Sequence, residues 1–227
     1  MNKSMRASAQ KPARRRPARR RPTAAAAEAP ARERILRAAL EVFAERGFEG
    51  ARTREIASRA GVNLGLLSYY FGEKEKLWRE SVALAFGELG TEIAAIAAPA
   101  NDERARVEQL LRGVVRFLAR RPAFMRLMND ESRRDGPRMR WLAEHHVKPA
   151  VAALGAVAQR AQAHGLIPAV PPASLHYIVL GAAGLFFSQA PEVRYLMGVD
   201  PADPAVAEAH ADALVRVLLG PPADTKR

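Results

Sequence analysis

TREIASRAGVNLGLLSYYFGEKEKL, residues 53–77, decides the fold. Thr53 can cap a short helix with Glu55 at its positive end and Ile56, Ala57 and Ala60 facing inward, and Gly61 stops it after barely two turns. Asn63 then caps a second short helix that runs to Tyr70 or Phe71 and halts at Gly72. At about 100° per residue, Leu64, Leu67, Tyr70 and Phe71 share one arc, a core face, while Gly65 and Tyr69 stack on the opposite side. Two short helices joined by a glycine-containing turn are a helix-turn-helix, in which the second helix enters a DNA major groove.

Working outward, the preceding segment places Ile35, Leu36, Ala39, Leu40 and Phe43 on one helical face. Arg46, Gly47 and Phe48 then read as a stop: a cation in the last turn, a left-handed cap and an apolar residue that folds back. On the other side the pattern stays helical, with no convincing period-two strand. Long helices are expected from Lys74 to about Ala98 and from Asp102 to Arg120, with a shorter one opened by Pro122 and broken near Gly136 and Pro137. Another should span Trp141 to His164, kinked at Pro149 and capped by Gly165; two more cover Ala173 to Gln189 and Pro204 to Leu219, the latter closed by Gly220. The fold class is therefore all-α: a basic arm over residues 1–29, a three-helix helix-turn-helix domain over 30–76, a helical bundle over 77–220 and a tail over 221–227, with the domain boundary inside the helix that starts at Lys74.

Composition narrows the classes. The 227 residues, 48% hydrophobic, can bury a sizeable core, and the absence of cysteine excludes disulfides, thiolate metal sites and thiol catalysis. Stability must come from packing, and the cysteine count agrees with a cytoplasmic protein. The net charge is +12, yet residues 1–22 alone hold nine basic groups and no acid, which leaves +3 for the other 205 residues. Arg14, Arg15, Arg16, Arg19, Arg20 and Arg21, interrupted by prolines, form an extended arm with two readings: phosphate and minor-groove contact, or a solvated leader that raises solubility. No apolar core follows the basic run, so a secretory signal is not expected. The uncharged stretch Ala173 to Gln189 is only about the minimum for a membrane span and contains Ser174, His176 and Gln189, so burial in a core or subunit interface is the better reading and no membrane partner is expected.

The run ILRAALEVFAERGFEGARTREIASRAGVNLGLLSYYFGEKEKLW, residues 35–78, resembles the DNA-binding domain of the TetR (AcrR-type) transcriptional regulators, through the AALEVFAERGFEG helix and turn, the TREIASRAGV helix, Gly65, the YYF cluster and KEKL, in that order. The bundle agrees with that family in helix order and length. The resemblance implies a homodimer on a palindromic double-stranded operator, a small-molecule effector in the bundle, and DNA contacts from Thr53, Asn63, Gly65, Ser68, Tyr69, Tyr70 and Lys74. Tyr70, on the inward arc, reads more readily as a core residue than as a contact. The sequence departs from the family where Leu64 replaces an often basic residue, where Ser68 replaces an aromatic, and where Glu73 adds an acid; the reading helix is therefore poor in cations.

No nucleophile elbow, phosphate loop or HExxH spacing is present, so no enzyme and no cofactor is expected. Glu144, His145 and His146 are adjacent, so their side chains diverge on a helix and cannot share a metal as an i, i+4 pair could. For an effector site the large residues Phe117, Phe124, Met128, Trp141, Phe186 and Phe187, with Glu131, His145, His146, Tyr177 and Gln189 as polar groups, are the candidates, although packing is the better reading for any one of them. A cavity among them would take an apolar or amphipathic molecule. GAAGLFF and AHADALVRVLLG in the last two helices allow close approach and suit a four-helix dimer interface. The expected function is thus a ligand-modulated regulator, more readily a repressor than an activator. Its rivals are an architectural DNA-binding dimer without effector and a helical enzyme.

Overall fold

A computed structural model of the chain describes residues 30–96 and 102–221, and among these every regular element is helical. The arm arginines lie outside the described residues. The first helix, α1 (Ala31–Gly50), buries Ile35, Leu36, Ala38, Ala39, Leu40, Val42 and Phe43 along one stripe. Gly47 interrupts it with φ 66° and ψ 172°, a conformation an L side chain rarely adopts, and this is where the sequence places the stop. The turn returns Phe48 to the core, stacked on Phe43 at 5.8 Å and edge-on to Trp78 at 6.3 Å.

Helices α2 (Thr53–Ala60) and α3 (Leu64–Phe71) lean on α1. Thr53 does not cap α2, contrary to expectation: Arg52 occupies the cap position, with extended φ and ψ, and Thr53 is the first helical residue. Gly61 ends α2 in the left-handed region and Gly72 ends α3 at φ 64°. The long helix α4 (Lys74–Ile96) starts in this domain, burying Leu77 and Trp78, and continues into the bundle. Full burial of Trp78, Phe43 or Phe71 stabilises by roughly 1.5–3 kcal/mol each.

The bundle is built around α5 (Glu103–Arg120), which Asp102 caps by accepting from the amides of Arg104 and Ala105. Then follow α6 (Pro122–Glu131), α7 (Pro137–Leu142), a π-helical turn at Ala143–Val147, α8 (Lys148–Ala163), α9 (Pro172–Ser188), α10 (Ala190–Met197) and α11 (Pro204–Leu219). Two expectations need correction. The helix expected from Trp141 starts at Pro137 and passes through the π turn, where the Lys148 amide donates to the Ala143 carbonyl five residues back; this wide turn, next to the donor-less Pro149, stands where a proline kink was expected. The chain after Gln189 forms α10, with Pro191 in its first turn, where a proline lacks only a donor the helix would not use.

Helix α5 packs against α4, α6, α8, α9 and α11, and α1 packs broadly on α6, so the helix-turn-helix domain is docked on the bundle as well as joined through α4. Glu88 on α4 receives Arg37 of α1 at 2.8 Å and Arg121, just before α6, at 2.8 Å. Where α9 crosses α6, a Cβ on Gly184 would sit 3.0 Å from Met125 Cε, so the two helices meet at glycine distance. Among the described residues no single helix is long and apolar enough to cross a membrane; α9 and α10 pass together only across a 78° bend.

Candidate nucleic-acid interface and bundle cavity

The exposed surface of the small domain is the outer side of α3 with the start of α2. Asn63 Oδ1 accepts the Leu66 amide at 2.8 Å, the capping bond the sequence implies. Gly65, Ser68 and Tyr69 follow on the open side, with Tyr69 83% exposed and its ring 5.5 Å from Tyr70, edge-on. Tyr70 is half-buried and packs on the core beside the buried Leu67 and Phe71. Leu64, read as inward, stands 37% exposed in the first turn of α3 and presents an apolar surface there.

Lys74 is turned toward its own chain. Its Nζ donates to the Glu49 carbonyl at 3.2 Å and lies 4.8 Å from the centre of the Phe48 ring. It thereby helps clamp the end of α1, and any phosphate contact must compete with these bonds. Two residues outside the sequence-based set supply what α3 lacks: Arg52 and Arg54 flank the half-buried Thr53 at the start of α2, both exposed and neither in an ion pair among the described residues. Two cations at a helix N-terminus, where free amides already face outward, suit a phosphate. Their position on either side of Thr53 is the signal by which the sequence could have shown them.

Helix α2 is held in place by Arg59, whose two terminal nitrogens reach Glu45 Oε1 and Oε2 on α1 at 2.6 and 2.8 Å. This fork holds the Glu45 carboxyl below its ordinary range, chiefly through the Arg59 hydrogen bond. At the domain junction Arg138, in α7, sits 4.1 Å over the Phe48 ring and pairs with Glu131 at 3.1 Å and with Glu49 at 3.7 Å. Glu131 is 3% exposed, buried with this partner and away from the bundle cavity, so it is not the effector-orienting group that the sequence suggested.

Between α5, α8 and α9 the bundle holds a partly open cavity of about 720 Å³. Its walls include Val107, Leu110, Leu111, Val151, Leu154, Gly155, Val179 and Leu180, with Gln159, Gln162, His176 and Tyr177 as polar groups. Of the ligand candidates named from sequence, Tyr177 lines it. Phe117 and Phe124 are core residues, 5.4 Å apart edge-on, and Met128 packs against the same core. Trp141 lies against Trp78 at 5.8 Å, His145 stacks on Trp141 at 5.0 Å, and Phe186 stacks on His210 at 4.5 Å, all away from the cavity. His146 stacks on Phe86 at 4.9 Å, and burial holds its imidazole below the usual value, with His145 adding to the effect. Phe187 is buried and Gln189 ends α9, so neither reaches the cavity.

A helix-turn-helix head fused through one long helix to a bundle with a cavity between its helices is the architecture of a one-component DNA-binding regulator. Residues 35–80 match the tetR family of bacterial regulatory proteins, and residues 104–218 match the tetracyclin repressor-like C-terminal domain. The chain belongs to the TetR family. It is 29% identical over 105 residues to the HTH-type transcriptional repressor NicS of Pseudomonas putida, covering 46% of this chain and 50% of that one. It is 37% identical over 84 residues to the repressor AcnR of Corynebacterium efficiens, covering 37% and 40% of the two chains. The chain thus spans about half or less of the length of these curated relatives. Among solved structures, AibR in complex with isovaleryl coenzyme A and operator DNA superposes with TM-score 0.67 at 20% identity, over 85% of this chain and all of that one. A putative fatty acid metabolism regulator of Clostridium perfringens gives 0.66 at 18%, over 84% and 100%. At such identities these likenesses concern the fold.

Proposed function

We propose that the chain is a homodimeric transcriptional repressor that binds a palindromic operator in the cytoplasm through α2 and α3 and responds to a small apolar or amphipathic effector in the bundle. The observation that carries this is the pairing of an exposed reading face, Gly65, Ser68 and Tyr69 with Arg52 and Arg54 beside it, with a 720 Å³ cavity in a bundle docked behind it. In this reading Asn63, Thr53 and the arginines position the helix on phosphates, Tyr69 offers its phenol or ring to a phosphate or a thymine methyl, and Tyr70 braces the helix from behind. The cavity favours an effector-responsive protein over a purely architectural one. Repressor names among the relatives support the sign of the regulation.

Dimerisation is supported by an apolar surface over the last three helices: Ile178 and Leu185 on α9, Tyr195, Leu196 and Met197 on α10, and Val217 on α11, all exposed. In a two-fold dimer on an operator each reading helix meets one half-site, and half-sites lie about 34–36 Å apart or somewhat more, the spacing of adjacent major grooves. The test is selection of bound fragments from genomic DNA followed by footprinting. An inverted repeat protected by the wild type and lost with Val217→Glu, a variant that sediments as a monomer, is the expected result. Enrichment of no sequence, or full protection by the monomeric variant, sinks the reading.

A further inference from the structure

The effector cavity is walled almost entirely by Val, Leu, Ile, Ala and Gly side chains, and none of its lining residues carries a formal charge. Helix α9 contains no charged residue at all. On α5 and α8, the other two walls, the cations are already engaged: Arg104 with Glu108 and the Leu219 and Gly220 carbonyls, Arg106 and Arg160 with Glu103, Arg112 with Asp212, Arg116 with Glu208, Arg120 with Glu92, and Lys148 with Glu144. Among the described residues, an anion entering here finds no Lys or Arg on these three walls without breaking one of these pairs. Its desolvation is uncompensated.

The polar groups present, Gln159 and Gln162 on α8 and His176 and Tyr177 on α9, lie on facing walls. Gln162 commits its amide nitrogen to the Pro168 and Val170 carbonyls, both at 3.1 Å, which leaves its carbonyl oxygen as an acceptor. His176 and Tyr177, whose rings meet edge-on at 5.1 Å, make no side-chain hydrogen bond to another described residue. We propose that the cavity takes an uncharged molecule with an extended apolar body and one neutral hydrogen-bonding group, an alcohol, ketone or amide, and discriminates against the carboxylate or coenzyme A thioester of the same skeleton. This rests on the reading of the cavity as the effector site, and it sets the chain apart from a fold neighbour crystallised with isovaleryl coenzyme A.

Gly155 supplies the control. It lines the cavity, and a Cβ built there meets nothing within 4 Å, so a side chain at this position starts into open space. The experiment titrates the full chain with decanol, decanoate and decanoyl coenzyme A by calorimetry at a pH where imidazole is neutral, and follows operator affinity by fluorescence anisotropy. Decanol is expected to bind at least tenfold more tightly than either anion, and Gly155→Phe, with its circular dichroism retained, is expected to lose that binding. Equal or tighter binding of an anion, binding of none of the three, or undiminished decanol binding by Gly155→Phe overturns the ligand class. Decanol that binds as expected but leaves operator affinity unchanged overturns the effector role and leaves the ligand class standing.

Discussion

A methyl group on Gly65 would lie 3.3 Å from Asn63 Oδ1, the oxygen that accepts the Leu66 amide. The glycine thus serves the cap as well as leaving backbone open on the exposed side, at a loss of about 1 kcal/mol in helix propensity. The neighbouring tyrosines divide the work. Tyr69→Ala is expected to leave urea stability within about 0.5 kcal/mol and lower operator affinity at least tenfold, because its ring touches little besides Tyr70. Tyr70→Ala should instead destabilise by about 1–3 kcal/mol, since its half-buried ring leaves a gap against the core. His146 gives a pH signature. Its folded pKa lies below the unfolded value, so the unfolded chain binds the extra proton; the stabilisation is complete above about pH 6.5 and is lost as pH falls toward the folded value. Thermal melts between about pH 7.5 and 5.5 should slope less in His146→Phe than in wild type; equal slopes would contradict this. Asn63, Gly61 and Gly72 are legible in the sequence because each states a local backbone need. Burial of one histidine edge is not, because it depends on Phe86 and Trp141, distant in sequence from each other.

Among the elements, α1, α3 and α5 follow from apolar stripes bounded by caps, and the structure reproduces them within a residue or two. The cap of α2 falls one residue before the expected Thr53, since a β-region arginine can hold the cap position without accepting a side-chain bond. Helix α10 escapes a reading of the sequence because Pro191 looks like punctuation when it stands in a first turn. The junction elements make the sharpest prediction. Arg138 leaves α7 to meet the buried Glu131 of α6, Glu49 at the end of α1 and the Phe48 ring together. Arg138→Ala should destabilise by about 3 kcal/mol in urea melts, as an unpaired carboxylate remains buried. Glu131→Gln in the same background should recover part of that loss; an Arg138→Ala variant as stable as wild type would show the pairing to be incidental.

For the molecule as a whole, the cavity is the least legible feature. Large aromatic residues draw attention in the sequence, yet Phe117 and Phe124 fill the core, while the cavity is bounded by Val, Ala and Gly that look ordinary in any one helix. Only the approach of three helices creates it. Charge distribution is more readable. Helix α3 holds no cation, and Lys74 is engaged with Glu49, so in the proposed reading the phosphate contacts fall to the exposed Arg52 and Arg54 and to the arm, which carries nine basic groups before residue 23. Deleting residues 1–22 should weaken operator binding and flatten the dependence of log affinity on log salt by about 0.9 for each phosphate the arm neutralises. An unchanged slope would make the arm a bystander. The π turn, finally, fixes a phase. Removing its one surplus residue and restoring α-helical bonding would rotate α7 by about 100° and shift it by about 1.5 Å relative to α8. Arg138 and Trp141 would then swing off Phe48 and Trp78, so the angular register between cavity wall and reading head is stored in a single extra residue.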